Sequence, residues 1–461
     1  MAAFGGRSAA VAIPFSLACL LFALVIRAAP GRQTGLRTLD YTVSAIALLG
    51  IMQAVPVPRA ILDLVSPHSS TVRTGLTLGP ESRSPWLPLS IDQGATIWAS
   101  LVALGAVALF LAARRVFAHG GIRATVRGIS AIGLGLSAVA LAQAATAGRL
   151  IYWRFPTEYE GPLPFGPFVN RNHFATWAIM AAPLCLGYIA ARANRNEAPG
   201  AGGESLAGKA LEPSEGGRRP RELPGFTNWR TRLARLADGR TLWLTAAAAI
   251  MISALLATLS RSGILSLAVA VVVSAVLWWP RAAGRRWWAA VGLVVAVGLG
   301  FARADLPALA ERVTQSGSSI ENRVRIWNDT LPIVRDFWLT GTGAGTYRTA
   351  MLYYQRSDRV VQFNQAHNHY LQAAAEGGVL LLGLVVCALF ALGRAINRHG
   401  SAAIHGTQWI RAGAMTGLIA VALQSIWETG LVMPANAALA AVLAAVAVHE
   451  RLSDEKSIFR D

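Results

Sequence analysis

The chain has 461 residues, of which 54% are hydrophobic and only 14% charged, with a mean hydropathy of +0.44. Soluble proteins carry about 25% charged residues, so this composition excludes an ordinary soluble domain and predicts a polytopic membrane protein. The formal net charge of +18 lies mostly in loops between apolar runs, so we expect a lipid bilayer and no nucleic acid as the partner. Cys19, Cys185 and Cys387 all lie inside apolar runs and have neither disulfide nor metal-ligand spacing.

About eleven apolar runs are long enough to cross a bilayer as helices. They lie near residues 11–27, 41–56, 95–113, 128–146, 173–192, 241–258, 264–279, 287–303, 378–395, 412–428 and 432–448. The predicted fold class is therefore an all-α polytopic membrane protein, a bundle of about 11–12 transmembrane helices.

Arginine-rich connectors predict the orientation of this bundle, because basic loops stay in the cytoplasm. The basic connectors are 114–127, 192–240, 280–286 and 394–411. The remaining long loops, which are 57–94, 147–172 and 304–377, are then outside. This orientation also puts the N-terminus outside, unless a further helix lies within 57–94.

The loops divide the chain into four parts. Residues 1–172 hold the N-terminal transmembrane helices and 173–303 the central ones, with a Gly-rich, polar cytoplasmic loop at 195–235 that is predicted to be flexible. Residues 304–377 carry many aromatic and large aliphatic side chains, which predicts a folded, mostly helical extracytoplasmic subdomain with helices near 320–336 and 345–356. Residues 378–461 hold the C-terminal transmembrane helices.

The first polar constellation is Asn170-Arg171-Asn172-His173, where an outer loop meets the fifth apolar run. An Asn at a helix start can cap free backbone N–H groups, and those groups favour a bound anion. Arg171 adds a full positive charge there, so Asn170, Arg171 and Asn172 are candidate substrate-binding residues. The alternative is a capped helix whose arginine reaches the lipid headgroups.

The second is Ser260-Arg261-Ser262-Gly263, in the middle of an apolar stretch about twice as long as one span requires. The stretch predicts a helical hairpin with Arg261 at its turn. An arginine at a membrane boundary is costly without an anionic partner or water, and the small neighbours leave room for a ligand. Arg261 is therefore a candidate catalytic residue; the alternative is a turn residue satisfied by lipid phosphate.

The third is the glycine-rich run Gly341-Thr342-Gly343-Ala344-Gly345-Thr346-Tyr347. It lacks the preceding strand and the lysine of a phosphate-binding loop, so it does not predict a nucleotide site. Its glycines indicate a tight turn and close backbone approach. Arg323 and Arg325, on the preceding helical segment, are candidate anion contacts.

The fourth is His367-Asn368-His369. A neutral imidazole suits proton removal from a hydroxyl near neutral pH, which makes His367 a candidate catalytic base and Asn368 and His369 candidate substrate contacts. Residues two apart diverge on a helix, and no Cys, Asp or Glu is adjacent in the sequence, so we expect no metal site and no cofactor. The alternative is a histidine with a structural hydrogen bond.

Together these motifs resemble the superfamily of O-antigen ligases and Wzy-type O-antigen polymerases, bacterial membrane glycosyltransferases. The resemblance runs from Phe165 to about Leu384 and includes the four motifs in the expected order. His367, Asn368 and Gly378 follow the ligase pattern of His, then Asn, Ser or Gln, nine residues, then Gly. Leu381 departs from it, so ligase and polymerase both stay open.

The resemblance implies a GT-C-like enzyme of surface polysaccharide assembly in the bacterial inner membrane. It would take a glycan from undecaprenyl diphosphate on the extracytoplasmic side and transfer it to a hydroxyl of another glycan or of the lipid A core, alongside other polysaccharide-assembly proteins. The implied reaction is a metal-independent inverting displacement. In residue terms, outer arginines can stabilise the leaving diphosphate while a histidine activates the acceptor.

Two other classes remain open at this stage. A transporter of a lipid-linked glycan or a small anion is one, although transporters often have paired interrupted helices at mid-membrane and none is evident here. A non-catalytic scaffold of a polysaccharide complex is the other.

Overall fold

The computed structural model describes residues 4–449 except 7, 32–33, 78–83, 148, 157–163, 196–237, 279–305, 359 and 400–406, and gives no side-chain burial for 306–319. The predicted flexible loop at 195–235 and the run at 287–303 therefore lie wholly or almost wholly outside the described residues. The helices that coincide with the predicted apolar runs are α1 (Ala9–Val25), α2 (Arg37–Ala54), α5 (Gln93–Ala118), α6 (Ile122–Thr146), α7 (Arg171–Arg195), α8 (Gly239–Ala257), α9 (Arg261–Trp278), α12 (His369–His399), α13 (Gln408–Gln424) and α14 (Pro434–Ala447). The remaining elements are α3 (Arg59–Val65), α4 (Ser69–Leu76), α10 (Leu306–Asp336), α11 (Tyr347–Tyr354) and the short strands β1 (Pro56–Pro58), β2 (Trp86–Pro88), β3 (Leu150–Ile151) and β4 (Phe155–Pro156).

These helices confirm an all-α polytopic membrane protein. Five described helices, which are α5, α6, α7, α8 and α12, are long and apolar enough to cross a bilayer, and three more apolar helices are shorter. Ten of the eleven predicted runs coincide with a helix, each because an uninterrupted apolar sequence can satisfy its backbone polar groups only within itself. The exact number of spans stays a prediction. In the described part of 57–94 the helices have only seven and eight residues, too few to span.

Helix α7 is the centre of the bundle. In the most apolar 18-residue stretch of α7, 83% of the residues are buried, whereas only 11% are buried in the corresponding stretch of α12. It packs most extensively against α13 and also against α8, α6 and α14. Gly187 and Gly413 let α7 and α13 approach so closely that a Cβ at either position would overlap the partner's backbone. Lipid has no hydrophobic drive to hold helices together, so close packing of small residues takes that role.

The two strand pairs and α10–α11 lie in the loops that were predicted to be outside. Strands β1 and β2 pair antiparallel, with Val57 opposite Leu87, and β3 pairs with β4. The backbone N–H of Ile91 donates to Thr342 O over 2.9 Å, so the loops 57–94 and 304–377 are in contact. Their assignment to the extracytoplasmic side stays a prediction.

The 304–377 segment is folded around a second apolar core. Helix α10 ends at Asp336 and α11 spans Tyr347–Tyr354, which confirms the two predicted helices, although α10 begins earlier, at Leu306. Phe337, Tyr347 and Met351 are fully or almost fully buried in this core. Val72 and Ile91 also belong to it, so the subdomain recruits the 57–94 loop and is larger than residues 304–377 alone.

The glycine-rich run is a structural turn in this subdomain. A Cβ at Gly341, whose φ is +68°, would overlap the Glu376 backbone, and one at Gly343 would overlap Ser90. The Glu376 carboxylate accepts the N–H groups of Gly345 and Tyr347 at 2.9 and 3.2 Å, which caps the start of α11. The close backbone approach expected from the sequence is therefore present.

Candidate active site at the ends of α7, α9, α12 and α13

His367 lies in the segment that leads into α12 and adopts a left-handed backbone conformation, with φ of +48°. Such a conformation costs energy for a residue with a Cβ and persists only where the surroundings enforce it. Its Nδ1 lies 3.2 Å from Oε1 of Glu428, in the connection between α13 and α14. The side chain is half-buried, so part of the ring is accessible from outside the protein.

Two further contacts fasten the His367 segment onto this connection. The N–H of His369 donates to Ser425 O over 2.8 Å, and the Thr429 hydroxyl contacts Oε1 of Gln365 over 2.7 Å. Together with the His367–Glu428 contact, these two hydrogen bonds join Gln365, His367 and His369 to the connection between α13 and α14. The ring of His367 is therefore held in place before any substrate arrives.

Glu428 is fully buried, yet its carboxylate is surrounded by donors. Asn172 Nδ2 donates to Oε2 over 2.8 Å, the N–H of Thr429 donates to Oε1 over 3.2 Å, and His173 Nε2 lies 4.0 Å away. Burial raises the pKa of Glu428, but the hydrogen bond and charge of His367, the charge of His173 and the Thr429 amide outweigh it and lower the pKa to about 2. The carboxylate is therefore ionised at neutral pH.

An ionised carboxylate can only accept a hydrogen bond, so Nδ1 of His367 is the donor. When the ring is neutral, its lone pair is then on Nε2, where it can take a proton. A carboxylate in this position can select the tautomer, fix the ring and stabilise an imidazolium, as the carboxylate does in a catalytic triad. A histidine held in this way can act as a general base.

The residues at the start of α7 divide between structure and site. Asn170 is buried and its side-chain oxygen accepts the N–H of Asn172 over 2.8 Å, so it caps the helix. The side-chain amide of Asn172 reaches Glu428 and is part of the site. Arg171 lies between them at the first helical position and is half-buried.

The turn between α8 and α9 brings Arg261 to the same end of the bundle. Leu259 before it has φ of +53°, a conformation that is strained for a bulky residue. A Cβ at Gly263 would lie 3.0 Å from Ala175 Cβ and 3.4 Å from Gln424 Nε2, so the turn packs between the start of α7 and the end of α13. The turn expected from the sequence joins two helices and leaves Arg261 exposed. The two helices do not pack along each other as a hairpin, because α8 packs against α7 and α6 whereas α9 packs mainly against α13.

Residues 246–386 match the family described as O-antigen ligase. The match spans 141 of the 461 residues, from within α8 to within α12, and identifies this segment as similar to an O-antigen ligase domain. No curated protein matches the chain. The family comprises membrane glycosyltransferases of ligase or polymerase type, and this domain lies here in a helical membrane protein.

The O-antigen ligase domain holds three groups of the predicted residues, which are Arg261, Arg323 and the segment from His367 to His369. The side chain of Asn368 accepts the N–H of Leu371 over 3.0 Å and so caps α12. His369 has a buried Nδ1 for which no hydrogen-bond partner is present among the described residues. Arg323 lies on α10, one helical turn before Trp327. The indole N–H of Trp327 donates to Ala366 O over 2.9 Å.

Glu428 lies outside the O-antigen ligase match, and sequence reasoning missed it. The expectation that no acidic residue is adjacent holds along the chain but fails in space, because Glu428 contacts His367 from a position 61 residues away. The available signal was an acidic residue at the end of an apolar run, since a carboxylate at such a place requires a partner. Among the described residues, no group of three or more His, Cys, Asp or Glu suits a metal ion.

Proposed function

We propose that this protein transfers a glycan from undecaprenyl diphosphate to an acceptor hydroxyl in surface polysaccharide assembly. The observation that carries the proposal is the contact between His367 and Glu428, at the end of the bundle where α7 begins with Arg171 and α9 with Arg261. The family match supports the reaction class. The acceptor is either the lipid A core, as for a ligase, or another lipid-linked repeat unit, as for a polymerase.

In the proposed step, Nε2 of His367 takes the proton of the acceptor hydroxyl. The acceptor oxygen then forms a bond to the anomeric carbon as the bond from that carbon to the diphosphate oxygen breaks, which inverts the anomeric centre. The electron pair of the broken bond stays on undecaprenyl diphosphate. Because the donor is already activated by its diphosphate, the reaction needs neither a nucleotide nor a metal ion.

The charge that develops on the diphosphate needs positive groups at fixed positions. Arg261, exposed at its turn, and Arg171, at the first turn of α7, are proposed to bind it, with Arg323 as a further contact. The helix N-termini at Arg171 and Arg261 add backbone N–H groups that favour an anion. Asn170 and Asn368 are proposed to act through the helices that they cap, and Asn172 through Glu428.

The proposed setting is the bacterial inner membrane, with the site on the periplasmic side. There the 304–377 subdomain supplies the base, and the helices of 173–303 supply Arg261. The parts 1–172 and 378–461 complete the bundle on either side, and 378–461 contributes Glu428.

Detergent micelles separate this function from transport, because they have no sidedness. Purified protein, fluorescent lipid-linked glycan from the host and delipidated acceptor should give a covalently extended acceptor and free undecaprenyl diphosphate. A transporter would give no new product in micelles. His367→Ala should lose the product and His369→Ala should retain some; extension by His367→Ala at the wild-type rate would refute the proposal.

A further inference from the structure

Two tryptophans meet beside the His367–Glu428 pair. The ring centroids of Trp327, on α10, and Trp427, in the connection after α13, lie 6.0 Å apart with an angle of 37° between the ring planes. Trp427 is 39% exposed and Trp327 is half-buried. The exposed part of Trp427, with Trp327 packed against it, therefore forms an aromatic surface.

This surface is held rigidly next to the proposed base. The indole N–H of Trp327 donates to the carbonyl of Ala366, the residue before His367, and Trp427 directly precedes Glu428. The backbone N–H of Trp427 donates to Gln424 O over 2.9 Å. Since the hydrogen bond fixes the Trp327 ring and that ring packs against Trp427, binding of a ligand there would cost the protein little side-chain conformational entropy.

The chemistry of such a surface fits a sugar ring. An aromatic face carries negative partial charge, and one face of a pyranose exposes several C–H groups that are apolar and weakly positive. A diphosphate, in contrast, would be repelled by the same face. The gap between the indoles is too small for a ring to enter, so a sugar would pack on the exposed face of Trp427.

We infer that Trp427, backed by Trp327, is the binding platform for the sugar of the glycan acceptor that carries the attacking hydroxyl. This inference rests on the proposed function, because His367 takes its proton from the acceptor. A sugar ring packed beside His367 could present its hydroxyl to Nε2, while the arginines at the starts of α7 and α9 are the ones proposed to bind the donor diphosphate. Aromatic anchoring at the membrane interface is the competing explanation.

Kinetics distinguish the two explanations. Trp427→Leu should raise the KM for a delipidated acceptor oligosaccharide roughly tenfold and leave kcat at saturation within about twofold, while Trp427→Phe should change KM about threefold or less. Trp338→Leu is the matched control, because Trp338 is also exposed, at 61%, in the 304–377 segment. Equal effects of Trp427→Leu and Trp338→Leu on KM would assign the ring to membrane anchoring and overturn the inference.

A binding measurement tests the platform separately from catalysis. Saturation-transfer NMR in nanodiscs would compare His367→Ala with His367→Ala/Trp427→Leu, using the same acceptor oligosaccharide released from the host glycolipid by mild acid. The single variant should bind the oligosaccharide and the double variant should bind it roughly tenfold more weakly. Equal binding of the oligosaccharide by the two variants would overturn the inference about Trp427 even if His367 is the base. If His367→Ala is active, the proposed function is wrong, but the same comparison still tests whether Trp427 binds the oligosaccharide. If Trp427→Leu lowers the Tm, Trp427→Met replaces it in both experiments.

Discussion

Replacement of Glu428 by glutamine tests the proposed base most directly. Glu428→Gln keeps the size of the side chain and its oxygen for Asn172 but removes the negative charge beside Nδ1 of His367. The amide can also present an NH₂ group to the ring, which favours the wrong tautomer. The variant should fold and insert but lose most of its glycan transfer.

The magnitude follows from the distance between the two groups. At the 3.2 Å between Nδ1 of His367 and Oε1 of Glu428, two unit charges interact by about 5 kcal/mol at an effective dielectric constant of about 20. A hydrogen bond to a neutral amide recovers about 1 kcal/mol. The remaining loss of about 4 kcal/mol in the charged transition state corresponds to about a thousandfold in kcat.

The assay is single-turnover transfer in micelles at saturating donor and acceptor. Glu376→Gln is the matched control, because that carboxylate accepts the backbone N–H groups of Gly345 and Tyr347 and should affect stability more than rate. Combining Glu428→Gln with His367→Ala should be no worse than His367→Ala alone, since the two act as a unit. Transfer by Glu428→Gln within about threefold of wild type would refute the tautomer argument.

Four further outcomes follow from the same geometry. In the micelle assay, His367→Ala should lower kcat by about 10²–10⁴-fold and His369→Ala should lower it much less, while EDTA should not affect the wild-type protein. A larger loss in His369→Ala than in His367→Ala, or reversible inhibition by EDTA, would count against His367 as a metal-independent base. Arg261→Lys should have lower glycan-transfer activity than wild type, because an ammonium does not replace the bidentate fork of a guanidinium on phosphate. Full polymer transfer in membranes by Arg261→Ala would show that Arg261 does not belong to the site. Because folding lowers the pKa of Glu428 from 4.5 to about 2, the ionised carboxylate contributes fully to the free energy of unfolding above pH 4.5, and this contribution is lost as the pH falls toward 2. The Tm of the wild-type protein should therefore show this loss between pH 4.5 and 2, and the Tm of Glu428→Gln should not. Gly341→Ala should lower the Tm, since its φ of +68° disfavours a side chain and a Cβ would overlap the Glu376 backbone; an unchanged Tm would contradict the turn geometry.

The sequence by itself determined the helices and the turns that carry the arginines. Apolar runs must form helices in lipid, because only a helix satisfies its own backbone there, and the ten runs that fall among the described residues accordingly coincide with helices. Arg261 was placed at a hairpin turn and Asn170 at a helix cap for equally local reasons, which are hydropathy and capping chemistry. These features depend on neighbours along the chain, and so local patterns are sufficient to predict them.

Only the tertiary structure decided which of these ends meet. The contact of His367 with Glu428 and that of Asn172 with Glu428 join residues 61 and 256 positions apart. Hydropathy predicts that each helix crosses the membrane, but it does not predict which helix it packs against, because the lipid-facing and protein-facing sides of a helix are both apolar. Close approach at Gly187, Gly413 and Gly263 sets that packing, and it depends on the shapes of two surfaces together. The buried carboxylate was therefore visible in the sequence as a residue, while its role as the partner of the base emerged from the packing of α7 against α13.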